Sequence, residues 1–253
     1  MNLSSKAIVE NLVASAIWAI LALIVTVAYK YSDNMSALQA LILLINLVIL
    51  IILLWYRHKF KTITGIESVE RLLGKGTKPV DALNLCQKNF KFLGIAANKF
   101  IFTPEFEDAV KRCNHSGDPI RFLLSSPDNP IIKQMARRAK RDENEFRDMI
   151  IRNLKKLKKL KDENGYNLEV RLYKSDGDSG PPSFRLFFID NSYVLVSYYV
   201  MGDGDGSDMP QIRVSRPKRA RDAQNFYFAF DHYFNSLWAN SEECIFDEIG
   251  NRQ

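Results

Sequence analysis

The sequence predicts an α/β protein: an N-terminal transmembrane helical hairpin, then a cytoplasmic α/β sandwich with a mixed sheet. Three observations predict it. Two long apolar runs follow one another within residues 1–60. Beyond residue 80, apolar stretches alternate between the period of strands and the period of helices. The whole net charge of +6 falls after residue 56, because Lys6 and Lys30 are balanced by Glu10 and Asp33 before it.

The hairpin occupies residues 1–60. Residues 7–29, AIVENLVASAIWAILALIVTVAY, are apolar apart from Glu10 and Asn11. Residues 37–55, ALQALILLINLVILIILLW, are apolar apart from Gln39 and Asn46. Each is long enough to cross a hydrocarbon core of about 30 Å as a helix. The first run is too long for a cleaved signal peptide, and a second span follows at once. RHKFK (57–61) follows the second span, while the turn KYSDNMS (30–36) offsets Lys30 with Asp33. The positive-inside rule therefore places residues 57–253 in the cytoplasm, as part of a multi-pass membrane protein. Asn46, near the middle of its span, needs a polar partner there. Ser15, Ala16, Ala19 and Ala22 give the first span a face of small residues that permits close packing. Asn46, Ser15, Ala19 and the neighbouring Trp18 are the residues expected in membrane association, either within one chain or between chains.

Residues 61–79 read as a juxtamembrane linker, in which IESVERLL can extend a helix and GKGTKP breaks it. The domain then spans residues 80–253. VDALNLCQKN reads as a short helix and FKFLGIA as a strand. TPEFEDAVKRCNH is a helix capped by Thr103 with Pro104 at its first position. IRFLLSS is a buried strand. The segment 127–165 is one long helix or two, with Phe146, Met149, Ile150, Leu154 and Leu157 at helical spacing and Gly165 as the stop. LEVRLY, SFRLFFID and YVLVSYYV follow as strands, the last two joined through NS as a tight hairpin. QIRVS reads as a further strand and AQNFYFAFDHYFNSLWANS as a closing aromatic helix.

Within PPSFRLFFIDNSYVLVSYY (181–199), Ser183, Arg185 and Asp190 hold the spacing of a His-x-Lys-x4-Asp motif. With the order of strand, helix, IRFLLSSP, long helix and LEVRLY before it, residues 80–240 resemble one phospholipase D-like domain. That resemblance implies a phosphodiesterase fold in which the histidine attacks phosphorus, the lysine binds phosphate oxygens, and two motifs face each other, here across a homodimer. Ser183 stands at the histidine position, Arg185 at the lysine position and Asp190 at the aspartate position. Ser183 lacks the imidazole that makes attack productive, while Arg185 keeps a bidentate clamp for phosphate. Asp190 also fits a plain hairpin turn. The three histidines, His58, His115 and His232, do not assemble a substitute. The expectation is a phosphate-binding pocket of Ser183, Arg185, Asp190 and Lys174 without catalytic residues.

Other signals have simpler readings. Residues 133–161 carry twelve Lys or Arg against four acids, and Arg213, Arg216, Lys218, Arg219 and Arg221 form a second basic run. Such clusters suit a solvated face, an anionic leaflet, or a nucleotide or nucleic acid. MGDGDGSDMP (201–210) lacks the twelve-residue calcium loop with its terminal glutamate. GKGTK (74–78) is too short for a P-loop. Cys86, Cys113 and Cys244 have no metal-ligand spacing and fit reduced thiols. No metal and no cofactor is expected.

Two spans, a short linker and a phosphate-pocket domain without a nucleophile resemble the two-transmembrane effectors of bacterial anti-phage systems, associated with retrons or cyclic-nucleotide signalling. The resemblance implies an effector that senses a nucleotide-containing signal or a partner protein from its operon, oligomerises, and disrupts the inner membrane. The competing expectations are a membrane-tethered nuclease or phospholipase with an altered site, and a membrane scaffold.

Overall fold

The computed structural model describes residues 35–70, 78–138, 140–175, 182–198, 211–217 and 225–246, with residues 22, 24, 26, 27 and 30. It divides into two units, Met1–Lys59 and Phe60–Gln253. The first expected span, with Ser15, Trp18 and Ala19, lies outside the described residues. The second is a helix, α1, Met35–Thr64. Its stretch Leu41–Thr64 is long and apolar enough to cross a membrane; its most apolar 18-residue window has a mean hydropathy of 2.2 and is 6% buried. Asn46 is exposed on this helix.

The helix ends where the sequence changes chemistry. Gly65 takes φ +76° and its N–H donates to the Lys61 carbonyl at 2.8 Å, closing the last turn in the left-handed manner that glycine favours. The chain then enters strand β1, Ile66–Glu70. This corrects the helical reading of IESVERLL over IESVE; residues 71–73 lie outside the described residues. The strand is made by its partner: β1 pairs antiparallel with β7, Gln211–Ser215, and no local pattern announces that pairing.

The remaining elements are α2 (Pro79–Leu85), β2 (Phe90–Leu93), α3 (Pro104–Asn114), β3 (Ile120–Ser125), α4 (Ile132–Arg138), α5 (Glu143–Asp162), β4 (Leu168–Tyr173), β5 (Phe184–Ile189), β6 (Tyr193–Tyr198), β7, α6 (Phe226–Ala239) and β8 (Glu242–Glu243). Thr103 caps α3 as its sequence suggests, accepting from the Phe106 N–H. The long helical segment resolves into two helices. Asp142 begins the second, its side chain accepting from the N–H groups of Asn144 and Glu145.

The eight strands form one mixed sheet in the order β1-β7-β6-β5-β2-β3-β4-β8. β2, β3 and β4 run parallel, and the other pairs are antiparallel. One face packs Phe90, Phe92, Phe122, Leu124, Val170, Phe187 and Leu195 with the buried sides of α2, α3, α4 and α5. The other packs Leu93, Leu123, Leu186, Phe188, Val194 and Val196 with Tyr227 and Phe234 of α6. Residues 184–189 alternate between these faces, so each side chain of the stretch is fixed to one layer by the pleat. Burying one such large side chain contributes about 1.5–3 kcal/mol.

Lys91 departs from the apolar pattern. On β2 under α6, it forms an ion pair with Asp231 and lies over the rings of Phe188 at 4.8 Å and Phe234 at 5.4 Å. The pair ties α6 to the sheet.

Candidate functional site

β5 carries the motif positions, and its geometry separates them. Ser183 precedes the strand and Asp190 follows it. Seven residues of extended chain put them about 23 Å apart, at opposite ends of the sheet. Ser183 and Arg185 share one end, on the face turned to α2–α5, since Phe187 and Ile189 on the same side belong to that core.

At that end a polar row crosses three strands. Arg185 pairs in register with Ser197 of β6, and Ser197 with Gln211 of β7. The Arg185 Nη2 donates to Ser197 Oγ at 3.1 Å. Ser197 and Gln211 are buried, Arg185 is half-buried and Ser183 is exposed. Among the described residues Arg185 has no acidic partner, so its remaining N–H groups suit an oxyanion. Sequence reasoning missed Ser197 and Gln211. The available signal was a serine at an inward position of an otherwise apolar strand.

The same end holds the C-terminal ends of the parallel strands β2, β3 and β4, and their loops are knitted together by Asn129. Its Nδ2 donates to Ser125 Oγ at 3.2 Å and to the Tyr173 carbonyl at 3.3 Å. Its Oδ1 accepts from the N–H groups of Ile131 and Ser175, each at 3.3 Å. Asn129, Ser125, Ser126 and Ser175 are all buried. Buried polar side chains of this kind hold a loop edge rigid because each is satisfied by a neighbour. Sequence reasoning missed this cluster too, although SSPDNP carried it.

Lys174 stands apart from Arg185. It follows β4, three strand steps from β5, a lateral distance of about 14 Å. It is exposed, and its Nζ pairs with Glu242 of β8 at 3.0 Å. Of the four residues expected in one pocket, Ser183 and Arg185 lie two residues apart at one end of β5, while strand order sets Lys174 aside and Asp190 stands at the other end.

Asp190 is engaged elsewhere. It takes φ +50° and Asn191 φ +51°, the pattern of a type I′ turn, and the Ser192 N–H donates to the Ile189 carbonyl at 2.8 Å. The turn is thus centred on Asp190 and Asn191, one residue earlier than the NS expected. The Asp190 Oδ1 accepts from the N–H groups of Lys88 at 2.7 Å, Gln87 at 3.1 Å and Asn89 at 3.2 Å, and Oδ2 from Gln87 at 2.9 Å. Its carboxylate caps the chain between α2 and β2.

Beside that cap, Cys86 and Cys113 are buried with sulfurs 3.0 Å apart. The hydrogen bond with Cys113, burial and the Asp190 charge push the Cys86 thiol up, so it stays protonated and unreactive. Burial likewise raises Cys244, to about 12. At the other end of β5, burial raises the Tyr233 phenol, opposed by a hydrogen bond from the Ser183 main chain. Of the histidines, His115 follows α3 and His232 lies on α6, both exposed, and His58 stands on α1. Among the described residues no three His, Cys, Asp or Glu side chains converge as a metal site.

No family model matches the chain, and no curated protein matches it. Among solved structures it is similar to Nuc of Salmonella typhimurium, a phospholipase D family member. The two share 9% identity at a TM-score of 0.38, over 70% of this chain and 97% of that one. It is similar to a phosphatidylserine synthase of Haemophilus influenzae Rd KW20, at 15% identity and TM-score 0.43, over 68% of this chain and 38% of that one. It is also similar to TrmBL2, an archaeal chromatin protein, at 13% identity and TM-score 0.42, over 82% and 70% of the two chains. At such identities and scores, function is argued from this chain's own side chains.

Proposed function

We propose that this chain is a membrane-anchored effector of bacterial anti-phage defence. Its cytoplasmic domain binds a phosphate-bearing signal or a partner protein at the Arg185 end of the sheet, and its apolar helices oligomerise to disrupt the inner membrane. The observation that carries the reading is a combination in one chain. The most apolar window of the helix Leu41–Thr64 is only 6% buried, and at the sheet end stands a guanidinium, Arg185, without an acidic partner among the described residues.

The test is membrane potential and growth after inducing the full chain in bacteria, alone and with a phage trigger. Residues 62–253 and the full-length Arg185→Ala variant serve as comparisons. Collapse of the potential by the full chain alone or with the trigger, absent from 62–253 and weakened by Arg185→Ala, supports the proposal. An undisturbed potential in every case ends it.

A membrane-tethered phosphodiesterase is the second reading, favoured by the adjacency of Ser183 and Arg185 at one strand end. Hydrolysis of a generic phosphodiester by the purified chain, lost in Ser183→Ala and in Arg185→Ala, would establish it.

A further inference from the structure

The charge on α5 is divided between its two halves. The cap and first half carry Asp142, Glu143, Glu145 and Asp148 around Arg147. From Met149 to Lys161 there are six cations, Arg152, Lys155, Lys156, Lys158, Lys159 and Lys161, before Asp162 closes the helix and Glu163 follows as its C-cap. The buried side of the same half is filled by Ile150, Leu154, Leu157 and Leu160. The cations therefore cannot spread around the helix. Arg152, Lys155 and Lys159 stand exposed at i, i+3 and i+7 on one ridge, with Glu163 3.7 Å from the Lys159 Nζ at its end.

The cations of this half act on their surroundings. A hydrogen bond from Lys156, against some burial and together with the charges of Lys156, Lys111 and Lys159, holds the Glu107 carboxyl below its ordinary range. Beside the ridge, Phe102 is 50% exposed, with the Arg152 guanidinium 5.6 Å from its ring centre. A face serving only for solubility intersperses its charges. A run of cations flanking an exposed aromatic ring is the composition of a surface that rests on anionic headgroups. A single-stranded nucleic acid asks instead for a groove lined by several open stacking rings; among the described residues the cations here meet Phe102 at Arg152 and the half-buried Phe246, whose ring centre is 6.0 Å from the Lys161 Nζ.

We propose that the Arg152–Lys161 face of α5, with Phe102 at its side, lies on the anionic leaflet of the membrane that anchors the chain. This rests on reading Leu41–Thr64 as a membrane span. The inference gives the excess charge of the domain a location and a partner, phospholipid headgroups of net negative charge. It also makes the domain's posture at the membrane dependent on lipid charge and on salt.

The experiment reconstitutes the full chain into vesicles of phosphatidylcholine alone and of phosphatidylcholine with phosphatidylglycerol. Lysines are acetylated briefly and located by mass spectrometry, with exposed Lys88 as internal reference. Modification of Lys155 and Lys159 is expected to slow roughly fivefold in the anionic vesicles, relative to Lys88, and to recover in high salt. Equal rates in both lipids overturn the inference. So does protection that appears in neutral vesicles only on adding an oligonucleotide, which would make the face a nucleic-acid surface. Alkaline carbonate extraction separates the two readings. A chain that stays in the membrane without lysine protection defeats the leaflet contact alone. A chain released by carbonate but still protected on anionic vesicles defeats the anchor and leaves the contact standing.

Discussion

Asp190 satisfies three consecutive backbone N–H groups with one carboxylate. Removing it leaves those donors facing a partly buried gap. Asp190→Ala is expected to cost about 3 kcal/mol in chemical denaturation, the scale of an unsatisfied charge-assisted site. Asp190→Asn, which keeps the turn preference and one acceptor, should cost clearly less. Because Asp190 lies at the far end of β5, its asparagine variant should bind a phosphate-bearing ligand as the parent chain does, while Arg185→Ala should not. Isothermal titration of both variants with the same ligand decides between a structural and a binding role. Lys91 poses a second question at this scale. Only 13% of its side chain is exposed, and Asp231 compensates it. Lys91→Met alone should destabilise by about 1–3 kcal/mol, because it strands a half-buried carboxylate. Adding Asp231→Leu should recover most of that loss, measured as a double-mutant cycle.

At the level of elements, the junction between α1 and the sheet concentrates the constraints. A Cβ on Gly65 would stand 2.5 Å from both Nδ2 and Oδ1 of Asn225 and 2.7 Å from the Ser215 carbonyl oxygen. Asn225 is itself the buried cap of α6, its Oδ1 accepting from the Tyr227 N–H at 2.7 Å. Gly65→Ala therefore combines a left-handed backbone with a steric conflict, and about 3 kcal/mol of destabilisation is expected in denaturation. Next to it, Glu67 bridges Lys61 of α1 and Arg213 of β7, each at 2.9 Å, the Arg213 contact being one of charge rather than an aligned hydrogen bond. Burial opposes the Glu67 carboxylate, but hydrogen bonds from Lys61 and Ser215 and the two cations outweigh it, and its pKa lies below the ordinary value. A depressed folded pKa means that the unfolded chain takes up the proton first. The bridge thus stabilises fully above about pH 4.3, and its contribution fades as the pH falls through the lower folded value. The thermal midpoint of the full chain should decline over that acid window, and the decline should shrink in Glu67→Gln.

For the whole molecule, the contrast is between an apolar helix with little burial and a domain whose two sheet faces are packed. The most apolar window of the helix Leu41–Thr64 is 6% buried, and an apolar surface of that extent calls for lipid or other apolar helices. Fractionated cells should hold the full chain in the carbonate-resistant membrane pellet and release residues 62–253 to the supernatant. Recovery of the full chain as a soluble protein would remove the anchor from the proposal. Oligomerisation through the spans belongs to this scale as well. Asn46→Leu should weaken cross-linked species in the membrane without changing the denaturation midpoint of the cytoplasmic domain.

The sequence by itself determined the elements that short-range chemistry encodes. The apolar run of α1, the Thr103–Pro104 start of α3, the helical spacing of Phe146 to Leu157, and the alternation in LEVRLY and SFRLFFID are each written within a few residues, because a pleat or a helical turn repeats over that distance. The chemistry of Arg185 and the missing imidazole were legible for the same reason: they are residue identities. Only the tertiary structure decided what each element meets. IESVE became a strand because β7 lies beside it. Arg185 found Ser197 and Gln211 through cross-strand register, which is a relation between segments far apart in the chain. Asp190 was drawn from a supposed pocket to a cap by the backbone of residues 87–89. Lys174 was parted from Arg185 because β2 and β3 sit between β4 and β5. Strand order is set by the packing of the whole sheet, and no local spacing carries it.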